Sequence, residues 1–199
     1  MATMEMIKDL RERTGAGILD AKKALEANDG DIDKAIQQLR EQGLAKAAKK
    51  AMREAAEGRV YSYIHGDPGR VGVLVEVNCE TDFVARTPAF QALCHSIALQ
   101  IAAAGPSYVT PEDIPADVME NERHTLLKQM EGENKPAAIM DKIVAGRLEK
   151  WYSESVLLRQ PYIKDDSQTV QDLVMAAIAE LGENIIVRRF SRFVLGEMA

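Results

Sequence analysis

At Gly58 the hydrophobic pattern of this 199-residue chain changes from the period of a helix to that of a strand, and the change confines the fold. Val60, Ser62 and Ile64 alternate with Tyr61, Tyr63 and His65. Val71, Val73, Val75 and Val77 then alternate with Gly72, Leu74, Glu76 and Asn78. Between the runs stands Gly66-Asp67-Pro68-Gly69, residue types that supply turn dihedrals. The spacing predicts a β-hairpin. Its second strand leads directly into Asn78-Cys-Glu-Thr-Asp-Phe-Val-Ala-Arg86, after which Thr87 caps and Pro88 starts a helix. Phe83 joins no periodic face at this corner and admits two readings. It is either a core aromatic closing the end of a sheet, or an apolar tip beside the Asp82 carboxylate, aimed at a partner.

Upstream, residues 1–43 read as a module of three short helices. Met6, Ile7 and Leu10 form one apolar stripe, ended by Thr14-Gly-Ala-Gly17. Ile18, Ala21, Ala24 and Leu25 form a second, ended by Asn28-Asp-Gly30. Asp31 caps a third helix whose face is Ile32, Ala35, Ile36 and Leu39, with Gly43 expected to close it. So few residues bury little core, and support from a neighbour or partner is expected. Residues 44–57, rich in Ala and Lys, read as a linker helix. Lys46, Lys49, Lys50 and Arg53 recur on its helical repeat, as a solvated face or a nucleic-acid stripe, although aromatics for base stacking are absent.

Residues 58–199 read as a core domain. Phe90, Leu93, Ile97, Ala98 and Ile101 give the helix after Pro88 a buried stripe that Gly105-Pro106 ends. Thr110-Pro111 repeats the start signal, with Asp113 placed to meet exposed amides. A polar stretch over 115–131 precedes a break at Gly132 to Pro136. Ile139, Ile143, Val144, Leu148, Trp151 and Tyr152 then trace another helix. Gln160-Pro161-Tyr162 is extended, and Thr169 caps a helix through Leu173, Val174 and Ile178 that Gly182 closes. The last strand spans Asn184 to Leu195. Its arginines sit among apolar residues on both faces, which suits a sheet edge or a face shared with another subunit. The fold class is α+β: a small antiparallel sheet of at least three strands, covered by helices.

The net charge of −6 disfavours a chain that works by neutralising phosphates, so direct nucleic-acid binding is not expected. Two cysteines, Cys79 and Cys94, are too few for a disulfide framework and fit a reducing cytoplasm. No secretory signal or membrane-spanning run is evident. Gly15-Ala-Gly17 lacks the strand and lysine of a phosphate loop. His65, His95 and His124 lie at no convincing metal spacing, and Cys94 and His95, adjacent on a helix, face apart. No nucleophile elbow occurs. Neither cofactor, metal nor enzymatic activity is expected.

Several stretches together resemble one family, in the same order along the chain. Leu10-Arg-Glu-Arg-Thr-Gly-Ala-Gly17 with Asp20-Ala-Lys-Lys-Ala-Leu25 is similar to the amino-terminal module of bacterial elongation factor Ts. The corner Asn78 to Arg86 resembles that family's most recognisable motif. Asn134-Lys-Pro136, Ile143-Val-Ala-Gly-Arg147 and Leu157-Leu-Arg-Gln-Pro161 with Lys164-Asp165 match as well. The resemblance implies a guanine-nucleotide exchange factor for GDP-bound elongation factor Tu. It implies a ubiquitin-associated-like amino-terminal module that docks through Arg11, Ile18 and Leu19. It also implies that Thr81, Asp82, Phe83 and Val84 intrude beside the partner's magnesium site. Longer members carry two sheet-bearing subdomains; this chain has one set of strand signals and resembles the short forms, which homodimerise. The strand near Phe190 to Val194 is a candidate seam. An adaptor using only residues 1–43, or an RNA-binding factor using Lys46 to Arg53 and Arg188 to Arg192, is the rival reading.

Overall fold

A computed structural model describes residues 2–14, 16–129 and 137–197. The expected break at Gly132 to Pro136, the motif residues Asn134 to Pro136, and Gly15 lie outside the described residues. The protein is α+β, as its two hydrophobic periods require. It opens with α1 (Met4–Thr14), α2 (Ile18–Ala27) and α3 (Ile32–Lys50). The hairpin strands β1 (Glu57–His65) and β2 (Val71–Cys79) follow, then the one-turn α4 (Asp82–Ala85) and α5 (Pro88–Ala104). Next come α6 (Ala116–Lys128), α7 (Ala137–Ser155), short strands β3 (Pro161–Tyr162) and β4 (Asp165–Thr169), α8 (Val170–Leu181) and β5 (Ile186–Val194).

The main sheet has the order β1-β2-β5 and is antiparallel. Strand β2 is central, and its Val73, Val75 and Val77 are buried. The terminal strand β5 is an edge, as its interspersed arginines suggested. The Leu195 amide donates to the Arg70 carbonyl at 2.8 Å, just beyond the end of β5 and before the start of β2. Antiparallel pairing therefore brings the turn ahead of β5 beside the corner that follows β2.

The chain divides into two compact units. One comprises Met1–Tyr61, Glu76–His95 and Asp172–Val187. Within it the three amino-terminal helices bury Ile7, Leu10, Ala21, Ala24, Leu25 and Ala35 as a local core, flanked by Ile32, Ile36 and Leu39. These are the stripes read from the sequence, except that Ile18, placed on the second stripe, is 53% exposed at the first turn of α2 and lies outside this core. The other comprises Ser62–Val75, Ser96–Gln171 and Arg188–Ala199. Its buried Ile97, Ala98 and Ile101 continue the α5 stripe, and buried Gln100 bonds Gln160, the Pro161 carbonyl and the Ile163 amide. That side chain fixes the approach to the β3–β4 hairpin, which the sequence had not suggested beyond an extended Pro161.

Two helix boundaries differ from expectation. Thr110-Pro111 starts only a single 3-10 turn, Pro111–Asp113, with the Asp113 carboxylate accepting from the Thr110 amide at 2.8 Å. Ile114 precedes Pro115, and a residue before proline is pushed out of the helical region; Ile114 has ψ 123, and α6 starts afresh at Ala116. The third helix does not close at Gly43 either. It runs unbroken to Lys50, so no separate helix spans 44–57. Ala45, Ala47 and Ala48 sustain it against one interior glycine, whose cost is about 1 kcal/mol. Among the described residues a Cβ on Gly43 would meet the Ala179 Cβ, at 3.5 Å, an ordinary contact. Gly43→Ala is therefore expected to stabilise the protein by about 0.5–1 kcal/mol, a rise of roughly 1–4 °C in thermal midpoint by calorimetry.

Candidate functional site

The corner after β2 is built by two threonines. Thr81 caps α4, its hydroxyl accepting from the Val84 amide at 3.4 Å. Thr87 caps α5, accepting from the Phe90 amide at 3.2 Å and donating to the Val84 carbonyl at 2.8 Å. One helical turn is thus held at both ends. Its inner side is the buried Ala85, and the buried Cys79 and Phe90 flank the corner in sequence. Its outer side is Phe83, which is 79% exposed. An aromatic closing a sheet would be buried, so Phe83 is not a core residue; its ring projects from the turn. The Asp82 side chain is 44% exposed and pairs with Arg86 one turn on, at 2.8 Å. Val84 is half-buried. The four residues 81–84 therefore form one compact feature: a cap, a carboxylate, a bare aromatic and a supporting aliphatic.

The base of this tip is a polar knot. One carboxylate oxygen of Glu183 accepts from the amides of Glu80 and Thr81, at 3.1 and 3.0 Å, and the other accepts from the Thr81 hydroxyl at 2.6 Å. In return the Glu80 carboxylate accepts from the Asn184 amide at 2.6 Å and pairs with Arg53 at 3.5 Å. Asn184 is buried and donates to the Arg53 carbonyl at 2.8 Å. Neither Glu183 nor Arg53 stood out in the sequence as part of this corner. The available signal was local: two polar residues, Glu183 and Asn184, between a helix-ending Gly182 at φ 81 and an apolar strand.

The Cys79 thiol beneath the corner donates to the Thr81 carbonyl at 3.1 Å. Burial raises its pKa, and the Glu183 charge adds to that. Burial pushes Cys94 up to about 12, only partly opposed by Arg59. Both are packing thiols, and neither is a nucleophile at neutral pH. The folded protein holds the Cys94 proton up to about 12, whereas an ordinary thiol loses it near 9. The associated stability is intact below pH 9 and falls as pH rises from there toward 12. Thiolate absorbance in the folded protein is expected to stay absent at pH 9 and to appear on unfolding.

In the amino-terminal module Ile18 and Leu19 are 53% and 71% exposed at the start of α2, and Arg11 is exposed on α1, its Nε donating to the Ala16 carbonyl at 3.2 Å. The structure thus leaves two large aliphatics and a guanidinium on the surface of this module. The basic residues after Gly43 are partly used internally: Lys50 donates to the Ile178 carbonyl at 3.3 Å, and Arg53 joins the knot. His95 lies 3.2 Å from the Tyr61 hydroxyl. Among the described residues no group of three or more His, Cys, Asp or Glu side chains could hold a metal ion. Among them, too, no helix is long and apolar enough to cross a membrane.

Comparison with known proteins agrees with the corner motif. The family described as Elongation factor TS matches residues 5–197. Elongation factor Ts of Heliobacterium modesticaldum is 58% identical over 197 residues, covering 99% of this chain and 91% of that protein. The elongation factor Ts of Coprothermobacter proteolyticus is 56% identical over 192 residues, covering 96% and 97%. That of Carboxydothermus hydrogenoformans is 57% identical over 197 residues, covering 99% and 90%. With the match running through both units and across the Thr81 to Val84 corner, the chain belongs to the elongation factor Ts family of translation elongation factors.

Proposed function

We propose that this protein is a guanine-nucleotide exchange factor that acts on GDP-bound elongation factor Tu in the cytoplasm, and that it breaks no bond in any substrate. The observation that carries the reading is the exposed Phe83 on a doubly capped turn, beside a carboxylate, in a chain of this family. Exchange is a coupling free energy: factor and nucleotide each weaken the other's binding by the same amount. GDP is held through phosphate contacts and magnesium, so shifting the groups around either suffices. Phe83 fills an apolar pocket on the partner and holds an element beside the magnesium site in a displaced position. Asp82 adds charge-assisted hydrogen bonds to the displaced groups, and Thr81 and Val84 carry the turn. Arg11, Ile18 and Leu19 dock residues 1–43, a ubiquitin-associated-like module, on the partner's nucleotide domain.

The test is release of a fluorescent GDP from purified elongation factor Tu, with and without this protein. Acceleration is expected at catalytic amounts of the factor; an unchanged release rate rejects the reading. The protein further acts as a homodimer joined through the 58–199 region, with the terminal strand near Phe190 to Val194 as the seam. Support comes from the edge position of β5 and from Phe193, which is 69% exposed on it. Sedimentation at micromolar concentration is expected to give twice the chain mass, and a monomer there rejects the seam.

A further inference from the structure

We propose that Glu183 is a positioning residue for exchange: its carboxylate, in the turn between α8 and β5, sets the direction in which α4 presents Asp82 and Phe83. The proposal rests on the exchange reading given above. A four-residue helix is far below the length at which a helix stabilises itself, so the attitude of α4 is decided by what holds its ends: Thr87 at the far end and, at the leading end, the base gripped by Glu183. The peptide immediately ahead of α4 joins Glu80 to Thr81, and Glu183 takes the amides of both residues on one oxygen. Two successive amides aimed at one anion fix the dihedrals between them. The second oxygen takes the Thr81 hydroxyl, the same hydroxyl that caps Val84. One side chain therefore holds the chain direction and the cap together.

The grip is anchored rather than free to swing. Asn184, the next residue, is buried; its amide is taken by Glu80 and its side chain by the Arg53 carbonyl. The two corners are thus cross-linked in both directions, Glu183 to the Glu80–Thr81 backbone and Glu80 to the Asn184 backbone. A wedge must keep its direction while it displaces part of a partner. If the base loosens, only a fraction of molecules present the tip correctly, and the maximal rate falls to that fraction of its original value. Docking through the amino-terminal module does not pass through Glu183, so the half-saturating concentration is spared.

The experiment compares Glu183→Ala, Glu183→Asp and Glu183→Gln with the unaltered protein and with Asp82→Ala/Phe83→Ala, each also combined with the tip change. Two readouts are taken: the maximal rate and half-saturating concentration of GDP release, and amide hydrogen exchange at Glu80 and Thr81 in the free protein. Glutamine keeps an acceptor for the amides and can donate to the Thr81 hydroxyl, so it should stay within about threefold of the unaltered rate. Aspartate keeps the charge but is one methylene too short, and alanine removes the grip. Both should lower the maximal rate about tenfold, leave half-saturation within about threefold, and speed amide exchange at Glu80 and Thr81 at least tenfold. In the tip-variant background neither should cost anything further. If alanine fails to fold, the aspartate and glutamine pair carries the test. An unaltered maximal rate, a loss confined to half-saturation, or a loss that multiplies with that of the tip overturns the proposal. Unchanged amide protection overturns the grip itself. No acceleration by the unaltered protein rejects the exchange reading instead, and the amide readout still decides whether Glu183 orders the corner.

Discussion

Replacing Asp82 and Phe83 together by alanine is expected to lower the maximal rate of GDP release by about 30-fold or more while leaving the fold intact. The magnitude follows from the side chain. A buried aromatic at the centre of an interface contributes about 2 kcal/mol or more, which is a factor of roughly 30 in rate when it is realised only in the displaced state. The intact fold follows from exposure. Phe83 is 79% exposed and Asp82 pairs with the exposed Arg86, so the unfolding free energy should move by no more than about 0.5 kcal/mol. Stopped-flow release and thermal unfolding on the same preparation check both halves. A large loss of stability would return Phe83 to the role of a core residue. An unchanged rate would leave the exchange function elsewhere in the chain.

Leu10→Ala is expected to produce the opposite kinetic signature. Leu10 is fully buried in the small core of α1–α3, and truncating such a leucine costs about 2–5 kcal/mol. A three-helix module of this size has only a few kcal/mol in hand, so it should open locally while the sheet persists. Hydrogen exchange should lose protection in α1, α2 and the first half of α3, with β2 and α5 unchanged. In the exchange reading the half-saturating concentration should then rise at least tenfold, with the maximal rate retained within about threefold. A variant that loses maximal rate but still docks normally would contradict the assignment of Arg11, Ile18 and Leu19 to binding.

Much of the fold was legible because its cause is local. The alternation of Val71 to Val77 and the turn residues Gly66 to Gly69 gave the hairpin; Asp31 and Thr87 gave helix starts through backbone caps that the structure contains. Where the sequence misled, a second local effect or a distant one prevailed. Pro115 cut off the helix that Thr110 began. Gly43 read as a stop, yet the alanines after it and a tolerable contact with Ala179 carry α3 onward. Strand β4, Asp165–Thr169, is polar throughout and exposed over its first three residues, so it has no hydrophobic period to detect. The tip itself was left undecided by spacing, since nothing in an alternating pattern says whether an aromatic at a corner turns in or out. Its base was illegible for a stronger reason. Glu183 and Thr81 stand 102 residues apart, and only the pairing of β5 with β2 brings them together.

The most direct test of the exchange account is reciprocity. The affinity of this protein for nucleotide-free elongation factor Tu and for the GDP-bound form can be measured by titration calorimetry, alongside the affinity of elongation factor Tu for GDP with and without this protein. GDP is expected to weaken binding of this protein by the same factor by which this protein weakens binding of GDP, and Asp82→Ala/Phe83→Ala to shrink both factors together. Equal affinity for the two forms of elongation factor Tu would contradict that account.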